Sequence, residues 1–127
     1  MVVEDTGALP HYWEFNQSEG RSHFVDSLWS MEDVYGGIAV PIWCTYREVR
    51  RSDLVVRLDG HGADELLCGY PWTLDWHYGD MNNNLYNDFH VGVLPAILRN
   101  FDRCSMAHGV EILTPFLDYP LVCFLFG

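Results

Sequence analysis

Arg57-Leu58-Asp59-Gly60-His61-Gly62-Ala63-Asp64-Glu65-Leu66-Leu67-Cys68-Gly69-Tyr70 follows directly on a short apolar run, Leu54-Val55-Val56. The run is partly β-branched and reads as a strand, Leu54–Leu58, buried on both faces as in a parallel sheet. Three glycines then fall within ten residues. Gly60 and Gly62 bracket His61, so the backbone there can take positive φ or approach a ligand closely. Asp64 and Glu65 come next, followed by Leu66-Leu67, which predicts a short helix beginning near Ala63. Strand, glycine turn and helix start together put a ligand site at the carboxyl end of a parallel strand. Amide groups at such a start favour phosphate. Two adjacent carboxylates would repel phosphate unless a divalent cation lay between them, and hard oxygen ligands of this kind suit Mg²⁺.

Outside this block the composition sets firm bounds. The chain has 127 residues, enough for one domain at most. Half of it is hydrophobic, so it can bury a core. It carries seven arginines, no lysine and a net charge of −11, which argues against nucleic acid and against an anionic membrane surface as partners. No run has the length of a transmembrane helix and no basic leader opens the sequence, so a cytoplasmic protein is expected. The four cysteines, Cys44, Cys68, Cys104 and Cys123, lack C-x-x-C spacing and read as buried free thiols.

Along the chain, residues 1–20 read as mixed and loop-rich. Phe24, Leu28 and Met31 fall at helical spacing, with Val25 and Trp29 on the same flank, predicting a short helix over about 21–32. Glu32-Asp33 and Gly36-Gly37 mark a turn. A stronger helix is expected from Ile38 to Arg51, with Pro41 in its first turn, Ile42, Tyr46 and Val49 inward, and arginines on a solvated face at its end. Pro71 to Asn84 reads as a long loop with room for a helical turn. Helix is expected again from Leu85 to Met106, with a break near Gly92 and Pro95, an apolar stripe of Leu94, Ile97, Leu98 and Phe101, and Gly109 as the stop. Val110–Leu113 is a short extended piece. Asp118 then caps a last helix with Pro120 in its first turn. Asp102 and Arg103 read as an ion pair orienting helices.

The string L-D-G-H-G-A-D-E-L-L-x-G-Y resembles the signature of the asparagine synthetase family, in the ATP-dependent synthetase domain of glutamine-dependent amidotransferases. A second block agrees: Leu94-Pro95, then Asp102-Arg103-Cys104-Ser105-Met106-Ala107-His108-Gly109-Val110-Glu111, then Pro115-Phe116-Leu117-Asp118. The resemblance is clear from about Tyr35 to Phe126. It implies an α/β fold: a mostly helical slice of a parallel-sheet, adenine nucleotide alpha-hydrolase-like synthetase domain. It also implies ATP and Mg²⁺ as cofactors, with an amino acid carboxylate and ammonia from glutamine as further substrates. By resemblance Asp59 and Gly60 would touch the adenylate, Asp64 and Glu65 would lie near Mg²⁺-pyrophosphate with Asp64 as metal ligand, and His61 would accept a proton. His61, Asp64 and Glu65 lack the spacing of a zinc site.

Three positions depart from the family pattern. His61 stands where the synthetases have glutamate, Leu113 where they have arginine, and Cys68 where they have the first glycine of G-G-Y. The family's pyrophosphate loop, S-G-G-x-D-S, does not occur in these 127 residues, and Val2 follows the first methionine where the glutaminase cysteine would stand. The expectation is a partial synthetase domain over 1–127, with the remaining halves of a parent enzyme as partners, and a fragment inactive by itself. The alternative is a non-catalytic remnant that folds or binds a partner without turnover. The acceptor, whether aspartate, a β-amino acid or a cell-surface precursor, is left open by the sequence.

Overall fold

Pro41 lacks an amide hydrogen, and the first turn of a helix does not need one there. The helix it opens is the centre of the packing. The computed structural model describes residues 2–32 and 39–127. In it α4 spans Ala39–Arg51, preceded by three short helices, α1 (Val2–Thr6), α2 (Gln17–Ser22) and α3 (Phe24–Met31). The start expected at Ile38 and the Gly36-Gly37 turn lie outside the described residues. Ala39, Trp43, Cys44 and Tyr46 face inward and join Met31, Cys104 and Val110 in one buried cluster, with Phe15, Ile42, Phe101 and Ile112 packed around it.

The strand after α4 is shorter than expected. β1 covers Val56–Leu58 and pairs in parallel with β2, Glu111–Leu113, in the register Val56 to Glu111 and Leu58 to Leu113. The extended piece Val110–Leu113 is thus the parallel neighbour β1 needs, and a bond from the Asp59 amide to the Leu113 carbonyl (2.9 Å) carries the ladder one residue further. Burial on both faces is not what the described residues display. Leu54, Val55, Val56 and Leu58 are 48–69% exposed, because one partner strand covers only part of a parallel strand.

Between the strands lie α5 (Ala63–Leu67), 3₁₀ turns at Pro71–Asp75 and Tyr78–Asp80, α6 (Met81–His90) and α7 (Val93–Met106). The break at 91–92 falls where Gly92 and Pro95 predict it. The stretch expected as one loop from Pro71 to Asn84 is in fact the two 3₁₀ turns and the start of α6. Leu94 and Cys104 seat α7 in the core, while Ile97, Leu98 and Phe101 are half-buried. Gly109, at φ +65°, turns the chain from α7 toward β2. A 3₁₀ turn at Pro115–Leu117 leads into α8 (Tyr119–Phe126).

Several local expectations change. Residues 21–32 form the end of α2 and all of α3, and the buried side of α3 is Ser27 and Met31, with Phe24, Val25 and Trp29 exposed. Ser27 fits there because it is small and its hydroxyl bonds the Phe24 carbonyl at 2.8 Å. Arg47 is not on a solvated face: it is buried and bonds His23, Glu19 and Glu48, tying α2 to α4. Arg103 pairs with Glu32 at 2.7 Å rather than with Asp102. Asp118 stands at the start of α8, but its side chain makes no capping bond. All four cysteines are free; Cys44 and Cys104 are buried, Cys68 is half-buried and Cys123 is exposed. Burial pushes the Cys104 thiol up to about 11, with Cys44 adding to it, so it stays protonated and unreactive.

Candidate functional site

Side chains alternate along an extended chain, so residues 57 and 59 leave β1 on the same side, and the turn that follows brings His61 back toward Asp59. That side carries Arg57, Asp59 and His61. Arg57 Nη2 lies 3.3 Å from Asp59 Oδ2. Asp59 Oδ1 accepts the Gly60 amide at 2.7 Å and faces His61 Nδ1 at 3.5 Å. Beneath them, Tyr46 of α4 is fully buried, and the Arg57 guanidinium sits 5.4 Å from its ring centre. The His61 ring meets Phe101 of α7 edge-on, with 4.2 Å between centres. Burial raises the Tyr46 hydroxyl well above its ordinary range; Arg57 opposes this and Asp59 adds to it.

The glycines are explained by their neighbours. Gly62 has φ +93°, and a Cβ there would come within 2.2 Å of Leu117. The first motif block therefore packs directly on the second, through the Pro115–Leu117 turn. Gly60 has open space around it, so its backbone is accessible. A Cβ on Gly69 would meet Asp64 Oδ1 at 1.9 Å, so the missing side chain makes room for that carboxylate.

Asp64 and Glu65 diverge. Asp64 is exposed, whereas Glu65 is 2% exposed and accepts a 2.6 Å hydrogen bond from the Tyr70 hydroxyl. Burial and the Glu65 carboxylate hold the Tyr70 hydroxyl above its ordinary range, and the ring stacks on Trp72 at 4.3 Å. Among the described residues no group of three His, Cys, Asp or Glu side chains is arranged to hold a metal. Asp64 offers an exposed carboxylate oxygen beside the glycine turn. That fits Mg²⁺, which is commonly held by one or two carboxylates together with substrate phosphates.

Where β1 and β2 end, a cavity of about 370 Å³ opens, lined by His61, Leu98, Arg99, Phe101, Asp102, Ile112 and Thr114. Ligands of open α/β sheets bind outside the carboxyl ends of the strands, and this cavity has that position. The structure thus gathers Asp59, Gly60 and His61 at one strand end, with Asp64 one helical turn on and Glu65 turned inward. Sequence reasoning missed Phe101 as the neighbour of His61, and Tyr46 and Arg57 as the groups around Asp59. Their one available signal is Arg57, a charge in step with Asp59 and His61 inside an otherwise apolar strand.

Comparison with known proteins bears on the same residues. The family model described as Asparagine synthase matches residues 1–83 and 73–127. A Methanocaldococcus jannaschii protein, named for asparagine synthetase (glutamine-hydrolyzing) 1, is 32% identical over 90 residues, which is 68% of this chain and 16% of that protein. The asparagine synthetase (glutamine-hydrolyzing) of Gallus gallus is 28% identical over 128 residues, covering 93% of this chain and 22% of the relative. The chain therefore spans about a fifth of the length of these relatives. With a family match running over its whole length, the chain belongs to the asparagine synthase family.

Proposed function

We propose that this chain supplies part of the ATP-dependent synthetase site of an asparagine synthetase-like ligase, within a domain of the adenine nucleotide alpha-hydrolase kind. The observation that carries the reading is the position of Asp59-Gly60-His61-Gly62-Ala63-Asp64 at the carboxyl end of a parallel strand, beside a cavity and in contact with the second motif block. The reaction would be acyl activation followed by amide formation. ATP adenylates a carboxylate, aspartate in the first instance, and releases pyrophosphate; ammonia derived from glutamine then attacks the acyl carbon and AMP leaves.

In this reading Gly60 lets the adenylate approach the backbone, and Asp59 fixes the turn that presents it. Asp64 is the metal ligand in this reading, and bound Mg²⁺ would offset charge on the leaving pyrophosphate. Glu65 acts through structure, holding Tyr70 and the end of α5. His61 accepts the proton lost by the attacking nitrogen. No described helix is long and apolar enough to cross a membrane, and the reading is of a cytoplasmic enzyme handling small molecules.

The test is a chimera in which the matched 90-residue segment of the Methanocaldococcus jannaschii relative is exchanged for the corresponding residues of this chain. Aspartate-dependent pyrophosphate release from ATP is the expected result. A chimera that folds, as judged by its melting profile, but releases no pyrophosphate would contradict the reading. It would favour instead a non-catalytic remnant, a reading to which Leu113 and His61 in place of the family residues lend support.

A further inference from the structure

Three buried polar atoms at the end of β1 lack a hydrogen-bond partner: Tyr46 Oη, Asp59 Oδ2 and His61 Nδ1. Native interiors rarely leave such groups unpaired, and each costs free energy where it sits. Here all three belong to one cluster. Asp59 lies between the other two: its carboxylate faces His61 Nδ1 at 3.5 Å, is held by Arg57 at 3.3 Å, and lies toward the Tyr46 hydroxyl. A shift of a few tenths of an ångström would bring His61 Nδ1 into a hydrogen bond with Asp59 Oδ1, leaving Oδ2 to the Arg57 guanidinium and the Tyr46 hydroxyl. Hydrogen bonds between reacting groups are often loose until substrate arrives.

Resting on the synthetase reading above, we infer that Asp59 and His61 form an orienting dyad. In it Asp59 accepts a hydrogen bond from the Nδ1–H of His61, which keeps the proton on Nδ1 and leaves Nε2 as a bare acceptor toward the cavity, while Tyr46 and Arg57 are positioning residues that hold Asp59. The protonated nitrogen of a histidine is set by the bond its other nitrogen makes, and a buried carboxylate behind Nδ1 fixes that choice, as in hydrolase triads. Phe101, edge-on to the imidazole at 4.2 Å, limits its rotation. The ligand this suits is a neutral amine or ammonia attacking an acyl-adenylate. The new C–N bond forms, the C–O bond to AMP breaks, and the proton shed by nitrogen passes to Nε2. The charged groups around the imidazole are Asp59, which faces it, Arg57, which pairs with Asp59, and Arg99 and Asp102, which line the same cavity from α7.

The experiment is ring-nitrogen NMR of the ¹⁵N-labelled 127-residue chain at neutral to mildly alkaline pH, with His61→Gln identifying the His61 signals. The expected spectrum has His61 protonated on Nδ1. Asp59→Ala removes the acceptor and should move His61 to the Nε2-protonated form, and Tyr46→Phe should give a mixture of the two. His61 protonated on Nε2 in the unaltered chain, or a tautomer that Asp59→Ala leaves unchanged, would overturn the dyad. If Asp59→Ala fails to fold, the tautomer of the unaltered chain together with the Tyr46→Phe response decides. The readout needs no turnover. An inactive chimera therefore sinks the synthetase reading without touching the dyad, and a wrong tautomer sinks the dyad without touching the synthetase reading.

Discussion

At Cys68 the backbone takes φ +58°, a conformation that costs an L-residue about 1–2 kcal/mol and glycine almost nothing. Cys68→Gly, which restores the residue the family pattern has there, should therefore raise stability by about 1 kcal/mol in urea denaturation, less whatever the Cys68–Met81 sulfur contact contributes. An unchanged or lowered midpoint would mean that the sulfur contact outweighs the strain. The buried tyrosines make a second prediction at this scale. Tyr46 and Tyr70 have raised pKa values in the fold, so the stability they lend is complete below the unfolded tyrosine value near 10 and is lost as pH rises beyond it. Tyr70→Phe also removes the hydrogen bond to Glu65 and should cost about 1–2 kcal/mol at neutral pH. It should flatten the alkaline loss of stability, and a variant with the same alkaline slope as the parent would contradict this account. The legibility of single residues is uneven for a physical reason. Asp64 and Glu65 look equivalent in the sequence, yet the rotation of about 100° between adjacent helical residues sends the first to solvent and the second beneath Tyr70. A pattern of types cannot separate them; the placement of Tyr70 does.

Among the elements, α4 and α7 are legible because each carries its own boundary signals. Pro41 opens the first, and Gly92 with Pro95 sets the break before the second. The β1 strand is legible in position but not in burial, since burial depends on which strands lie beside it and the apolar run says nothing of those. The flank of α3 fails similarly: helical spacing puts Phe24, Leu28 and Met31 together, but the side that meets α4 runs through Ser27 and Met31, where the smaller residue allows close approach. Arg47 is the clearest miss. Three arginines near a helix end read as dipole partners, yet one of them crosses to α2. Its side chain is 10% exposed, against 30% for Glu19 and 24% for Glu48. Arg47→Met should cost about 2 kcal/mol, below the ~3–5 of a fully buried pair because both carboxylates keep some contact with water. Hydrogen exchange should locate the loosening in α2 before it reaches α7. Uniform loss across α4 and α7, with α2 unaffected, would show that Arg47 does not tie these helices together.

Over the whole molecule, the two motif blocks are far apart in sequence and meet through Gly62 and Leu117, with β1 and β2 paired beside them. The order of blocks pointed to the family, but their contact needed the fold, because nothing in either block states its partner. The site so formed is partial. It offers Asp64 as a candidate metal ligand, an accessible glycine turn and a histidine beside a cavity, and its 127 residues contain neither the S-G-G-x-D-S string nor any lysine. The purified chain alone should therefore release no pyrophosphate from ATP with aspartate and ammonia, and aspartate-dependent release from it would mean that the catalytic groups lie elsewhere than proposed. The central claim rests on Asp64, and its most direct test is pyrophosphate release against Mg²⁺ concentration for the chimera and for its Asp64→Asn variant, with thermal melts alongside. Asp64 is exposed, so loss of its charge should leave the melt within about 0.5 kcal/mol of the parent. Turnover should fall by at least about tenfold, equivalent to about 1.4 kcal/mol, and the Mg²⁺ requirement should rise. Turnover and Mg²⁺ dependence equal to the parent's would contradict the claim and leave Asp64 as a charge at the start of a short helix.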